Sequence, residues 1–214
     1  MKRILHFFLF CSICVGAFGQ SKEFENVFRA CTLAQSSMSD GVGSQTEIKE
    51  ACSLLTSTEW SPLILQQDSK KGEAAMKSHM VFSPEFLKDV AENRKVYKKA
   101  KQYADEQNAQ QRGGNVQLCT KCIKAKQKMT YYIRANGKHI DIAAVAEVNG
   151  LINLSVIVKD SKGKETPYKI NSDEYKGMSA RRLSTINLPK GYSYVYITIE
   201  NKSDKDKSVA IIVE

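Results

Sequence analysis

The chain has 214 residues, with 32 Lys and Arg against 23 Asp and Glu, a formal net charge of +9. Beyond the first 20 residues no stretch is apolar and long enough to cross a bilayer as a helix, which takes about 20 residues. No recognisable nucleic-acid-binding motif accompanies the positive charge, so nucleic acid is excluded as the expected partner.

The opening "MKRILHFFLFCSICVGAFGQ" has a basic head, Lys2 and Arg3, an apolar run from Ile4 to Phe18, and a small-x-small end, Ala17-Phe18-Gly19. That is the pattern of a secretory signal peptide over residues 1–19, with Gln20 as the mature N-terminus. Neither Cys11 nor Cys14 follows a small residue, which argues against lipoprotein processing. The expected location is exported, periplasmic or extracellular. Without Lys2 and Arg3 the mature chain keeps 30 basic and 23 acidic residues, a charge of +7. Residues 20–118 balance at 13 of each sign, so the excess lies between Cys119 and Glu214.

Residues 20–112 read as a helical region. Ser21 is placed to cap a helix in which Phe24, Val27, Phe28 and Cys31 recur at helical spacing. Ser44 and Glu47 form a capping box before a second stripe, Ile48, Ala51, Cys52 and Leu55. The short link predicts an antiparallel pair. Cys31 and Cys52 are equidistant from the turn and lie on the two apolar stripes, so an oxidising compartment predicts a disulfide between them. Closing a loop of that size contributes roughly 3 kcal/mol, mainly by restricting the unfolded chain. Ser83-Pro84-Glu85 starts a third helix that runs towards Gln110.

Gly113-Gly114 marks a boundary, and residues 113–128 read as a linker that contains "QLCTKCIKAKQK". Cys119 and Cys122 are spaced as a CxxC pair, and Lys121, Lys124, Lys126 and Lys128 form a basic cluster around it. Two readings stay open: a structural staple at the junction, or a thiol–disulfide centre whose thiolate the lysines would favour. A zinc site would need a second ligand pair. His79 and His139, far apart in sequence, do not supply one at any recognised spacing, so no metal and no cofactor is expected. Hydrolase motifs (Gly-x-Ser-x-Gly, His-Glu-x-x-His, a P-loop) are missing from the sequence. Asp204 and Asp206 are interleaved with lysines, which suits a solvated turn better than calcium.

Residues 129–214 change to a period of two. "MTYYIRA", "KHIDIAAVAEV" and "LINLSVIV" are joined by Asn136-Gly137 and Asn149-Gly150, the strongest short hairpin signals, and are followed by "TPYKI", "RRLSTINL", "YSYVYITI" and "SVAIIV". The expected fold class is therefore α+β: a helical region with a disulfide-linked hairpin, then an antiparallel β-sandwich of about seven strands. In "YSYVYITI", Tyr192, Tyr194 and Tyr196 share one strand face and Val195, Ile197 and Ile199 the other. The aliphatic face belongs to the core, which turns the tyrosines outward or towards the helices, as a binding strip or as covered packing.

The segments "LSVIVKDSKGKE" and "INLPKGYSYVYITIENKSDKDKSVAIIVE" carry a hydrophobic strand before an Asp-x-x-Gly-Lys turn, then a Pro-Gly corner leading into the last two strands. In this respect residues 129–214 resemble pre-peptidase C-terminal domains, jelly-roll accessory modules of secreted bacterial proteins. The whole chain also resembles small exported bacterial proteins with no assigned function. The resemblance implies a binding or spacing unit with no chemistry of its own. The expected function is a non-catalytic secreted or envelope-interaction protein, with a glycan, an envelope component or another secreted protein as partner. The alternative is an extracytoplasmic thiol–disulfide protein using Cys119 and Cys122.

Overall fold

A computed structural model describes residues 21–37, 45–67, 71–74, 94, 98, 102, 114–147, 150–169 and 179–214. The expected signal peptide lies outside these residues, as does most of the third predicted helix, of which Arg94, Lys98 and Gln102 are helical.

Two helices come first, α1 (Lys22–Ser37) and α2 (Gln45–Ser57). Ser21 caps α1 as its position predicts: its Oγ accepts the Phe24 amide at 3.0 Å, satisfying one of the amides that a helix start leaves unpaired. Ten strands follow among the described residues: β1 (Ser61–Pro62), β2 (Gln66–Gln67), β3 (Gln117–Ile123), β4 (Lys128–Asn136), β5 (His139–Ala146), β6 (Ile152–Lys159), β7 (Glu165–Lys169), β8 (Ala180–Asn187), β9 (Tyr192–Asn201) and β10 (Lys207–Val213). They form two five-stranded sheets, ordered β1-β3-β10-β5-β8 (sheet A) and β2-β4-β9-β6-β7 (sheet B). All pairs are antiparallel except β1 with β3.

All seven strands expected after residue 128 are present, but their connections differ from expectation. Asn136-Gly137 does not close a paired hairpin. It carries the chain from β4 in sheet B to β5 in sheet A, and the segment around Gly150 carries it back to β6. Successive strands largely alternate between sheets, the jelly-roll manner of building a sandwich. The paired hairpin lies between β6 and β7, where the Asp160 carboxylate accepts the amides of Lys162 and Lys164 at 2.9 and 2.8 Å. Gly163 supplies the positive φ, +84°, that this turn requires.

Two apolar layers result. Between the sheets lie Met129, Tyr131, Ile142, Ala144, Ile152, Val156, Val195, Ile197, Ile199, Val209 and Ile211. Behind sheet A, the stripe Phe24, Val27, Ala30 and Cys31 of α1, with Leu55 of α2 and Trp60, packs on Ala143, Val145, Ala210 and Ile212. Strand β5 is buried on both faces, which explains why "IDIAAVA" reads as a nearly unbroken apolar run. Asp141 within it does not point to solvent. It is buried, and its Oδ1 accepts the amide of Thr185 at 2.6 Å, where β8 bulges and Thr185 has φ +53°. Its neighbour His139 is exposed.

The segment expected as a linker differs most. Residues 117–123 are strand β3 of sheet A, and the stretch around residue 60 also joins the sandwich, β1 pairing with β3 and β2 with β4. Gly114 is a point of close approach: a side chain there would come within 2.4 Å of the Glu59 carbonyl oxygen.

Candidate functional site

The outward face of sheet B follows directly from its register. Opposite residues of an antiparallel pair share a face, and β9 sits between β4 and β6. One row across the sheet is therefore Gln66, Tyr132, Tyr196, Ile157 and Pro167, taking one residue from each of the five strands. The next row is Arg134, Tyr194, Lys159 and Glu165, and Asn136 opposes Tyr192 beyond it. On the other side lie Thr130, Thr198 and Ser155, then Lys128, Glu200 and Asn153.

The three tyrosines predicted on one strand face are indeed together and away from the core. Tyr192 and Tyr194 are 53% and 43% exposed, Ile157 is 36% exposed, and Tyr196 is half-buried. Sequence reading missed Tyr132, which comes from the neighbouring strand. Its ring lies 5.7 Å from Tyr196 in a tilted arrangement and 6.4 Å from Tyr194, edge to face. The Arg134 guanidinium carbon stacks 3.8 Å above the Tyr192 ring. Polar groups frame the rings: Thr130 and Thr198 share a hydroxyl hydrogen bond of 2.9 Å, and Asn153 donates to Glu200 at 3.2 Å. Glu200 is also paired with Lys202 at 2.6 Å, and this hydrogen bond holds its carboxyl below the usual range. The outcome, among the described residues, is an open aromatic floor with amide, hydroxyl and charged groups at its edges.

The cysteines do something other than was expected. No disulfide forms among the described residues: Cys31, Cys52, Cys119 and Cys122 are thiols. The apolar stripe of α1 faces sheet A, while α2 packs chiefly on α1 and reaches that layer through Leu55. Cys31 is wholly buried in the layer against Ala143 and Ile212, whereas Cys52 is half-buried beside Ala51. The expected hairpin disulfide is not formed, and Cys31 packs as a thiol in the layer against sheet A.

Cys119 and Cys122 are corrected by the period of the strand. In β3, whose ladder with β10 runs unbroken from Gln117 to Ile123, residues three apart point to opposite faces. Cys119 packs against the layer between the sheets with Ile123, while Cys122 shares the alternate face with Leu118 and Thr120. A thiol–disulfide centre needs its sulfurs adjacent and one of them accessible. Here Cys122 is buried, and burial pushes the Cys119 thiol up to about 12 despite the nearby Lys121. Burial likewise pushes Cys52 up to about 11 and Cys31 still higher.

The four lysines are dispersed as well. Lys121 is held at the rim of the sandwich, 3.2 Å from Glu73 and 5.7 Å from the centre of the Tyr131 ring. Lys126 reaches the β9–β10 turn, bonding the Lys202 carbonyl at 2.8 Å and Asp204 at 2.7 Å, which draws the exposed Asp204 carboxyl down. Asp206 accepts the Ala125 amide at 2.9 Å, so both aspartates of that turn fasten the β3–β4 connection. Asn201 completes the junction, donating to the carbonyls of Ile123 and Lys205 at 2.9 Å each. Lys124 is exposed, and Lys128 belongs to the open face of sheet B. Among the described residues no group of three or more His, Cys, Asp or Glu is arranged to hold a metal ion. His79 lies outside the described residues.

No family model matches the chain, and no curated protein matches it in sequence. Among solved structures it is similar to a Yersinia pseudotuberculosis-derived mitogen at 14% identity, over 46% of this chain and 84% of that one, with a TM-score of 0.32. It is similar to TmCBM61 in complex with β-1,4-galactotriose at 8% identity, over 47% of this chain and 81% of that one, TM-score 0.28. A third similarity is to PliG of Salmonella Typhimurium, a periplasmic inhibitor of g-type lysozyme, at 15% identity over 48% and 89% of the two chains, TM-score 0.30. Likeness at this level carries no functional argument. No helix among the described residues is long and apolar enough to cross a membrane.

Proposed function

We propose that this chain is an exported, non-catalytic binding protein that takes a glycan of the cell envelope or its surroundings on the open face of sheet B. The observation that carries the proposal is the gathering of Tyr132, Tyr192, Tyr194 and Tyr196 on one sheet face that is uncovered among the described residues. A saccharide ring has an apolar C–H face and a rim of hydroxyls. The floor meets the first with tyrosine rings and the second with Gln66, Asn136, Asn153, Ser155 and the Thr130–Thr198 pair. Tyrosine suits such half-wet contacts because its ring is apolar, its hydroxyl polar and its rotamer entropy small.

Export is supported by the signal-peptide pattern of residues 1–19. The pre-peptidase C-terminal resemblance of residues 129–214 agrees with a binding or spacing role without chemistry. The test is a screen of the full chain against immobilised glycans and envelope polysaccharides, beside a variant with Tyr192, Tyr194 and Tyr196 changed to Ser. Retention by the wild type and loss in the variant, both equally folded, is the expected result. Equal retention by the two would remove the tyrosine face from the account, and retention of an envelope protein in place of any glycan would replace the ligand class.

A further inference from the structure

The tyrosine face is not electrostatically uniform. Tyr194 is flanked directly on one side by Arg134 of β4 and on the other by Lys159 of β6. Directly opposed side chains start about 5 Å apart, so the two cations stand on either side of one exposed ring. Arg134 is the better placed of the two. It is exposed, its guanidinium carbon lies 3.8 Å from the centre of the Tyr192 ring, and it has no carboxylate partner among the described residues. A guanidinium held against a ring by its face keeps its in-plane N–H fork available, the geometry that grips a carboxylate bidentately. Lys159 is engaged by Glu165 at 3.4 Å, but that pair is solvent-exposed, and exposed pairs of this kind contribute little and exchange readily. The row with Tyr132 and Tyr196 runs from Gln66 through Ile157 to Pro167, so the neighbouring row carries no charge. Beside the tyrosines the cations stand in the Tyr194 row, and Lys128 lies two rows beyond Tyr196, opposite Glu200.

Building on the proposed glycan-binding role, we infer that the preferred ligand is an acidic polysaccharide. A sugar ring rests on Tyr194, its carboxylate is taken by the Arg134 fork, and neighbouring rings lie on Tyr132 and Tyr196. Glu165 acts as a built-in competitor for Lys159, lowering affinity and favouring polymers that make several contacts over free acids.

The test is an array of neutral and uronate- or sialate-bearing glycans probed with the full chain. Affinities for polygalacturonate and for its methyl-esterified form follow, with polyglutamate as a non-sugar anion. Acidic glycans should be retained over neutral ones. Arg134→Ala should weaken the acidic binding about ten- to hundred-fold, the range for losing a charge-assisted contact. Arg134→Lys should fall between, because it keeps the charge but not the fork. Glu165→Gln should strengthen binding a few-fold, an effect that mere structural damage would not produce. Equal retention of neutral and acidic glycans, with Arg134→Ala silent, overturns this inference and leaves the tyrosine-face proposal standing. Polyglutamate binding as tightly as polygalacturonate overturns it in favour of a general anion surface. Retention of no glycan at all overturns both.

Discussion

The two sheets of this sandwich are built from similar strands, yet their outer faces have opposite fates. Sheet A presents Ala143, Val145, Ala210 and Ile212 to the outside, small and aliphatic side chains that admit a helix, and α1, with Leu55 and Trp60, covers them. Sheet B presents Tyr132, Tyr192, Tyr194 and Tyr196 among Thr, Asn, Arg and Lys, and among the described residues its tyrosine row stays open. The difference lies in residue type. A row of alanines and isoleucines gains by leaving water, whereas a row of tyrosines with polar neighbours is stable half-wet and remains available to a ligand. The covered face supplies stability, and the open face is the surface proposed above for binding.

That contrast breaks most visibly at Phe24, which is wholly buried against sheet A. Phe24→Ala should cost about 3–5 kcal/mol in denaturant unfolding, and a loss under 1 kcal/mol would mean that the helices are not docked as described. Next comes Asp141, which pairs the amide of the bulged Thr185 behind sheet A. Asp141→Ala should cost about 1–3 kcal/mol by leaving that amide without its partner, and Thr185→Gly should recover part of the loss by relaxing the positive φ.

A smaller effect concerns Cys119. Its thiol is raised to about 12, above its unfolded value, so its contribution is intact below the unfolded value and declines as pH rises towards 12. Between pH 8 and 10 this should remove about 1–2 kcal/mol through that thiol, measurable as the share of the alkaline loss that disappears in Cys119→Ala while the shares of Cys31 and Cys52 remain. At pH 8 the native protein should resist alkylation at Cys31 and Cys122, and rapid labelling of either would contradict its burial. The smallest effect belongs to the open face: Tyr194→Ala should change stability by less than about 0.5 kcal/mol while weakening glycan binding at least ten-fold. Comparable losses in both would show the tyrosine to be structural.

Much of this contrast was legible in the residues. Strict alternation in "LINLSVIV" and "YSYVYITI" marked strands with one buried face, and the Ser21 cap marked the start of α1. Strand β3 was not legible. With Thr120 and Lys121 between its cysteines, and with both faces packed, it lacks an apolar alternation and resembles a linker. Its misreading carried the cysteine pair along, since CxxC suggests proximity only when the chain turns, and an extended chain sends the two sulfurs apart. The two-residue strands β1 and β2 are set by pairing with β3 and β4, which no local pattern encodes. The tyrosine strip was visible on β9, but Tyr132 joined it only through register. The one local signal is the doublet Tyr131-Tyr132, whose alternation sends the first ring inward and the second outward.

The central claim, that the open face of sheet B is the binding surface, is tested most directly by hydroxyl-radical footprinting of the full chain with and without polygalacturonate. Protection should fall on Tyr132, Tyr192, Tyr194 and Ile157 and leave Tyr168, whose hydroxyl bonds the Asn187 carbonyl at 3.0 Å, unchanged. Protection over the helices, or none on the tyrosine row while the ligand is bound, would contradict it.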